Sequence, residues 1–476
     1  MSELLACMSR RRFGLTLCGL PLAARFPLPA ADLENGPWSE PAVVEKVYLS
    51  APQVHWPRPT LDVQKEVAGV DQQLAEVERK HAASFRFTGG KLLTRGDEIE
   101  SWAKGLGDVD ALLIIPISTP SVSIAAVLDA AGAPELVFSR PFAGHHWSGV
   151  AGMRKAGRRV DVLATSSYGD FDVYAPVFRT MHHLRKSKIL VGAENTARYQ
   201  ALTGGFTKQY GTSFGYFSYD DLKAEFAAAD PGQAQREADR FTRGALKVVE
   251  PSPGEIRDAL RFYLAVQKMM VREKANAFTV DCFPGLLARK MPAYPCIAWS
   301  HLNDRGLYGV CEGDIRSTMT QMLVTSHTGM PGFVSDPVFD VSRNEVIHAH
   351  CVAATKMGGI QGPGSPYIVR SHLETNEGAV LQVLMPSGRT ITVGEFADPR
   401  KFLVSTAEVT GTTAEVSGTP DADGGCRSKI RTRVSDAQKW LENYSSGLHR
   451  VIFYGDHVAA IERMGRLMGF EVVREI

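Results

Sequence analysis

The chain has 476 residues, length enough for roughly two to four domains, each with its own core. With 53 Lys and Arg against 52 Asp and Glu, its formal net charge is +1, and no basic excess points to nucleic acid or to an anionic membrane surface. Hydrophobic residues make up 44% and charged residues 22%, the composition of a globular protein whose default partner is a small molecule.

The first 31 residues differ from the rest. Ser9-Arg10-Arg11-Arg12-Phe13 precedes an apolar run over residues 14–24 and a Pro/Ala-rich stretch to Ala31. This resembles a twin-arginine export signal, so the expected location is periplasmic or otherwise exported, with a cytoplasmic one as the alternative. Beyond Ala31 no apolar run approaches the roughly 20 residues of a membrane-spanning helix. Five cysteines follow, Cys282, Cys296, Cys311, Cys351 and Cys426, an odd number without a CxxC spacing; neither a disulfide framework nor a structural zinc is expected.

In chain order, residues 47–50 read as a strand, 61–81 as an amphipathic helix, and 110–116 as a buried strand, followed by strands over 135–138 and 160–165. Apolar strands separated by helices predict a doubly wound α/β domain over residues 40–184. A second set, over 188–192, 278–281, 308–311 and 346–348, predicts another Rossmann-like α/β domain over 185–357. After the Gly/Pro-rich segment 358–366 the pattern changes to period-two strands, 379–385 and 389–393, joined by a turn at Pro386-Ser387-Gly388. This predicts a β-rich, barrel-like domain over 358–476.

Chemistry concentrates between Cys282 and Cys351, where Glu312, Asp314, Asp336, Asp340, His348 and His350 all fall. Carboxylates and imidazoles gathered this way suit a divalent ion that prefers oxygen and nitrogen, such as Mn²⁺, Fe²⁺ or Mg²⁺. A helix over 315–328 and a turn over 329–332 bring Asp336 back beside Glu312. Asp314 sits where a helix N-cap is needed. His348 and His350, two apart on a strand, share a face.

Several runs resemble a known family. DCFPGLL at 281–287, PCIAWSHLNDRG at 295–306, CEGDI at 311–315 and His350-Cys351 resemble the central domain of the L-fucose isomerase and L-arabinose isomerase superfamily. HRVIFYGDH at 449–457, ahead of a helix over 458–468 and a strand over 470–473, resembles the end of those enzymes. The resemblance covers residues 270–476; before that only the architecture is similar. It implies two Rossmann-like domains and a β-rich third, an oligomer often hexameric, and aldose–ketose isomerisation of a free sugar or sugar derivative with Mn²⁺ or another divalent ion such as Fe²⁺, Co²⁺ or Mg²⁺. Glu312 and Asp336 match the two carboxylates, which serve as metal ligands and as acid and base; His449 matches the C-terminal histidine ligand, with His457 as runner-up. His350 matches a further histidine ligand of arabinose isomerases.

Moving a carbonyl between neighbouring carbons passes through an ene-diolate, whose charge a chelated divalent ion stabilises while two carboxylates move the proton. A sugar-binding relative without catalysis, or an epimerase or aldolase using the same chemistry, is the alternative. Residues 145–147 (His-His-Trp) and His182-His183 are expected in surface or core roles, Gly204-Gly205 in a loop near the pocket, and Arg427 as a clamp for a substrate group.

Overall fold

The computed structural model describes residues 36–412 and 424–476; the leader read at 1–31 lies outside the described residues. The first run of strands and helices forms a parallel five-stranded sheet in the order Phe85–Leu93, Ala42–Leu49, Ala111–Pro116, Glu135–Ser139, Val160–Ala164. Its central strand, ALLIIP, has no polar residue because both faces are covered. Leu113 and Ile115 enter one core cluster, while Leu112 and Ile114 enter another. Each such side chain contributes roughly 1.5–3 kcal/mol on burial.

A second parallel sheet follows, ordered Tyr308–Val310, Ala277–Val280, Lys188–Gly192, Ser213–Phe217. Register aligns Gly192 with Val280, and Val310 with Thr279, so the residues that follow these strands emerge together along one edge. In doubly wound sheets that carboxyl edge is where ligands bind. The helix Ile315–Thr328 then runs back, capped at its start by Asp314 and ended by Gly329 in the left-handed region (φ +71°).

Six antiparallel strands close into a barrel in the order Thr390–Asp398, Arg450–Tyr454, Phe333–Asp340, Glu345–His350, Ser428–Arg433, Lys401–Thr412, the last pairing again with the first. Glu471–Arg474 adds a parallel strand to Lys401–Thr412. One hydrophobic cluster runs without interruption from the first sheet through the second to the barrel.

Three expectations are corrected. The strand holding Val346 and His348 belongs to the barrel, antiparallel to its neighbours, and not to the second parallel sheet. Val380–Val383 pairs with Tyr367–Arg370 in a small separate sheet, so it forms no hairpin with Thr390–Asp398. Gly204 and Gly205 lie within the helix Gln200–Tyr210, not in a loop. A side chain at 205 would come within 2.9 Å of Pro399, so glycine lets this helix approach the barrel. Among the described residues no helix is long and apolar enough to cross a membrane.

Candidate active site

Barrel register brings three of the expected residues together. Ser335 lies opposite Arg450, which sets His449, one residue earlier, beside Asp336. Asp336 lies opposite Ala349, which sets His350, one residue later, on the other side. Asp336, His350 and His449 each offer a ligand atom, and these atoms lie within 4.8 Å of one another.

Glu312 arrives from the carboxyl edge of the second sheet, two residues beyond Val310. It adopts φ +62°, unusual for a residue with a side chain, and Gly313 follows at φ +66°. A side chain on Gly313 would collide with the Tyr199 hydroxyl 2.3 Å away, so only glycine permits this tight exit. The turn aims the carboxylate into the site: Glu312 Oε2 is 3.7 Å from His449 Nε2, and Oε1 is 3.9 Å from His350 Nε2. Strain concentrated at one candidate ligand is typical of functional positions.

His449 is oriented from behind. Its Nδ1 lies 2.8 Å from Asp314 Oδ2, so the ring donates there and turns Nε2 towards Glu312 and Asp336, where loss of the second ring proton would free a lone pair. Asp314 therefore does more than cap its helix. Its Oδ1 accepts from the Arg316 and Ser317 N–H groups, and its Oδ2 also accepts from the Ser317 hydroxyl.

His350 is oriented differently. Its Nδ1 accepts the backbone N–H of Cys351 at 2.8 Å, which places the proton of the neutral ring on Nε2, facing Glu312 and Asp336. Burial, partly opposed by Asp336, pushes its pKa down to about 4, so the ring is neutral near pH 7.

Asp336 Oδ1, His350 Nε2 and His449 Nε2 are all buried and without a hydrogen-bond partner. Asp336 Oδ1 and His449 Nε2 are 3.3 Å apart, yet poorly aligned for a hydrogen bond. Buried polar atoms are rarely left this way unless something is meant to occupy the space between them. Burial alone would raise the Asp336 pKa, but the neighbouring imidazoles outweigh it and lower it. Burial raises that of Glu312, helped by Asp336 and Asp314 and opposed by His449. In His449 burial is overcome by Asp314 and Asp336, which hold the imidazolium well above its usual range. A proton there marks the charge an ion would replace. Two carboxylates and an imidazole lone pair fit a divalent ion of intermediate hardness.

The site opens into a cavity of about 210 Å³, lined also by Phe283, His372, Glu374 and Leu448. That volume is below the roughly 300–1,000 Å³ typical of pockets for drug-sized ligands, a scale suited to a single monosaccharide. A larger cavity of about 750 Å³ lies elsewhere, but its Arg179, Asp304 and Lys356 are already hydrogen-bonded to their surroundings.

The other highlighted residues stay outside the site. His182 bonds Asp110 and the Pro37 carbonyl, while His183 bonds the Trp38 carbonyl and the Tyr308 hydroxyl. Trp147 is half exposed. His457 stands at the N-cap position of the final helix without a capping bond from its side chain, which bonds the Tyr454 carbonyl instead. His348 is buried against Ser335 and Trp440. Arg427 is held by the Ser371 carbonyl and hydroxyl. His372 and Glu374 escaped the sequence reading because the irregular segment that carries them has no periodicity. The cysteines beside the site carried no signal through their spacing.

No protein-family model matches the chain. A sulfoquinovose isomerase from Clostridium sp. (strain MSTE9) is 30% identical over 113 residues, which is 23% of this chain and 25% of that relative. The matched stretch spans about a quarter of either protein. It points to a sugar isomerase at the coarse level.

Proposed function

We propose that this protein is a divalent-metal-dependent ketol isomerase of a free sugar or sugar derivative, similar in chemistry to the L-fucose and L-arabinose isomerases. The observation that carries this reading is the meeting of Glu312 and Asp336, which line one cavity, with the unpartnered Nε2 of His449. A sugar isomerase as a partial relative supports the same direction.

In this reading Glu312, Asp336 and His449 hold the ion, with Mn²⁺ the expected species. When bound, a divalent ion supplies Lewis-acid stabilisation of the negative charge that develops on the sugar oxygens. Glu312, whose pKa is raised by burial, removes the proton from one carbon, and either it or Asp336 returns it to the neighbouring carbon. Asp314 keeps His449 in the tautomer that leaves Nε2 free. His350 serves here as a hydrogen-bond donor from Nε2 to a substrate oxygen, in place of the ligand role that the family resemblance implied.

Metal content per chain after Mn²⁺ loading and dialysis tests the site. About one ion per chain in the wild type, lost in His449→Ala, is expected. Proton NMR in deuterated water on a panel of aldoses tests the reaction through exchange of a carbon-bound proton, which Glu312→Gln and Asp336→Asn should abolish. A wild type that binds no ion, or a carboxamide variant with wild-type turnover, sinks the reading.

A further inference from the structure

Two residues that line the cavity, His372 and Glu374, are absent from the ion-holding set. The segment that carries them forms neither helix nor strand, yet it is firmly pinned. The His372 N–H donates to the Glu377 carbonyl at 3.0 Å, and the Asn376 N–H to the His372 carbonyl at 2.8 Å. Arg427 holds the Ser371 carbonyl and hydroxyl, and the Gly378 N–H donates to Glu255 at 2.7 Å. Gly378 adopts φ +68°, and a side chain there would collide with the Tyr294 ring, so the segment lies directly on that ring.

Tyr294 also fixes the tautomer of His372. Its hydroxyl donates to Thr375 Oγ1 at 2.7 Å, nearer than Glu377 at 3.4 Å, which leaves the Thr375 proton for His372 Nδ1, 3.4 Å away. Nδ1 therefore accepts, and the proton of the neutral ring sits on Nε2. Burial, helped by Arg427, lowers the His372 pKa and keeps the ring neutral. Nε2 faces Glu374 Oε2 at 3.9 Å, and Glu374 has no nearer polar partner among the described residues. That gap is too wide for a hydrogen bond and suits a shared hydroxyl: two legs of about 2.8 Å span it, the oxygen accepting from Nε2 and donating to the carboxylate.

We propose that Glu374 is a further catalytic residue, which carries the hydroxyl proton of the sugar from one oxygen to its neighbour, while His372 positions that hydroxyl. This rests on the isomerase reading of the same site. Isomerisation moves two protons, and Glu312 and Asp336 account only for the one on carbon. Once the C2 proton of an aldose has left, its electron pair forms the C1–C2 double bond and the carbonyl pair moves onto O1. To complete the ketose, O2 loses its proton as the C2–O2 double bond forms, C1 receives the carbon proton, and O1 gains a proton. The Glu374 carboxylate takes the O2 proton and returns it to O1, so protons and electrons balance without a co-reactant. Proton transfer by a placed side chain contributes about 10²–10⁴-fold.

The test follows carbon-bound deuterium in deuterated water, with the Mn²⁺-loaded full chain and an aldose that the wild type converts. Glu374→Gln should form ketose at least about a hundredfold more slowly, while deuterium still enters C2 of the recovered aldose and Mn²⁺ content matches the wild type. A merely structural role would lower exchange and conversion together. His372→Gln should shift the ratio of exchange to conversion in the same direction; should it fail to fold, Glu374→Gln, at a side chain that is 51% exposed, carries the test alone. In the metal-free chain, ring nitrogen NMR shifts should show His372 protonated at Nε2. Equal losses of exchange and conversion in Glu374→Gln, conversion at the wild-type rate, or a His372 protonated at Nδ1 overturns this proposal and leaves the isomerase reading standing. A wild type that exchanges no carbon-bound proton on any aldose removes the isomerase reading, and this proposal with it.

Discussion

Replacing Asp314 by Asn separates the two tasks of one side chain. Oδ1 accepts from the Arg316 and Ser317 N–H groups at 2.9 and 3.1 Å, so the amide oxygen of Asn must take that position to preserve the cap. The NH₂ group then replaces Oδ2, 2.8 Å from His449 Nδ1, where Asp314 accepted a proton. Two donors cannot face each other. His449 must change tautomer, leaving Nδ1 to accept and moving its proton to Nε2, the atom needed by the metal. Asn and Asp cap helices about equally well, so apo stability should hardly change, whereas Asp314→Ala should lose about 1 kcal/mol with the cap. Loss of a carboxylate behind a ligating histidine typically lowers metal affinity by about 10–100-fold, or about 1.4–2.7 kcal/mol. Mn²⁺ affinity by chelator competition, beside apo melting curves for both variants, checks this. Unchanged Mn²⁺ affinity in Asp314→Asn, or a loss of affinity matched by a loss of apo stability, would refute the reasoning.

His350→Ala should keep its Mn²⁺, because Nε2 carries a proton and offers no lone pair, while KM for the sugar rises; loss of the ion in this variant would restore His350 as a ligand. Arg450→Met should destabilise by about 3–5 kcal/mol in denaturant unfolding, since Arg450 and Glu475 form a fully buried pair at 2.6 Å and the carboxylate is left without its cation. Glu135 is buried without a hydrogen-bond partner, and burial pushes its pKa well above the usual 4.5. The native state therefore holds its proton more tightly than the unfolded state, and stability from this group is complete below 4.5 and declines as pH rises towards the folded value. Glu135→Met removes that decline, so the melting temperature of the variant should gain on the wild type as pH rises from about 5 to about 8; a gap that stays constant or narrows would count against it.

Local features were legible in the sequence where a local cause fixes them. The helix Ile315–Thr328 begins at Asp314 and ends at Gly329 because a capping carboxylate and a left-handed glycine stand at those positions. Glu312, Asp336, His350 and His449 do converge as the runs around them suggested, although their roles rest on the experiments above. Pairing was not legible. Glu345–His350 is buried along nearly its whole length, and a strand covered on both faces shows the same unbroken apolar pattern in a parallel sheet as in a barrel. Phe85–Leu93 went unread because Thr-Gly-Gly-Lys interrupts its apolar pattern, which an edge strand tolerates.

The candidate site is built between two sheets of different kinds, and this explains why its parts read so unevenly. The parallel sheet supplies Glu312 from a strained turn just past a strand end, where a motif such as CEGD is compact enough to recognise. The barrel supplies Asp336 and His449 through register, where a shift of one residue would send them to opposite faces, and His350 joins them from the end of the neighbouring strand. No spacing along the chain encodes that register. It is held by interactions outside the site, such as the Ser335 hydroxyl on the Arg450 carbonyl and the buried Arg450–Glu475 pair beside His449. A substitution that loosens this pair should therefore weaken metal binding without touching a ligand. Arg450→Met offers that comparison directly: its Mn²⁺ affinity should fall along with its stability, and a variant that is destabilised yet binds the ion as tightly as the wild type would break the link drawn here between barrel register and site.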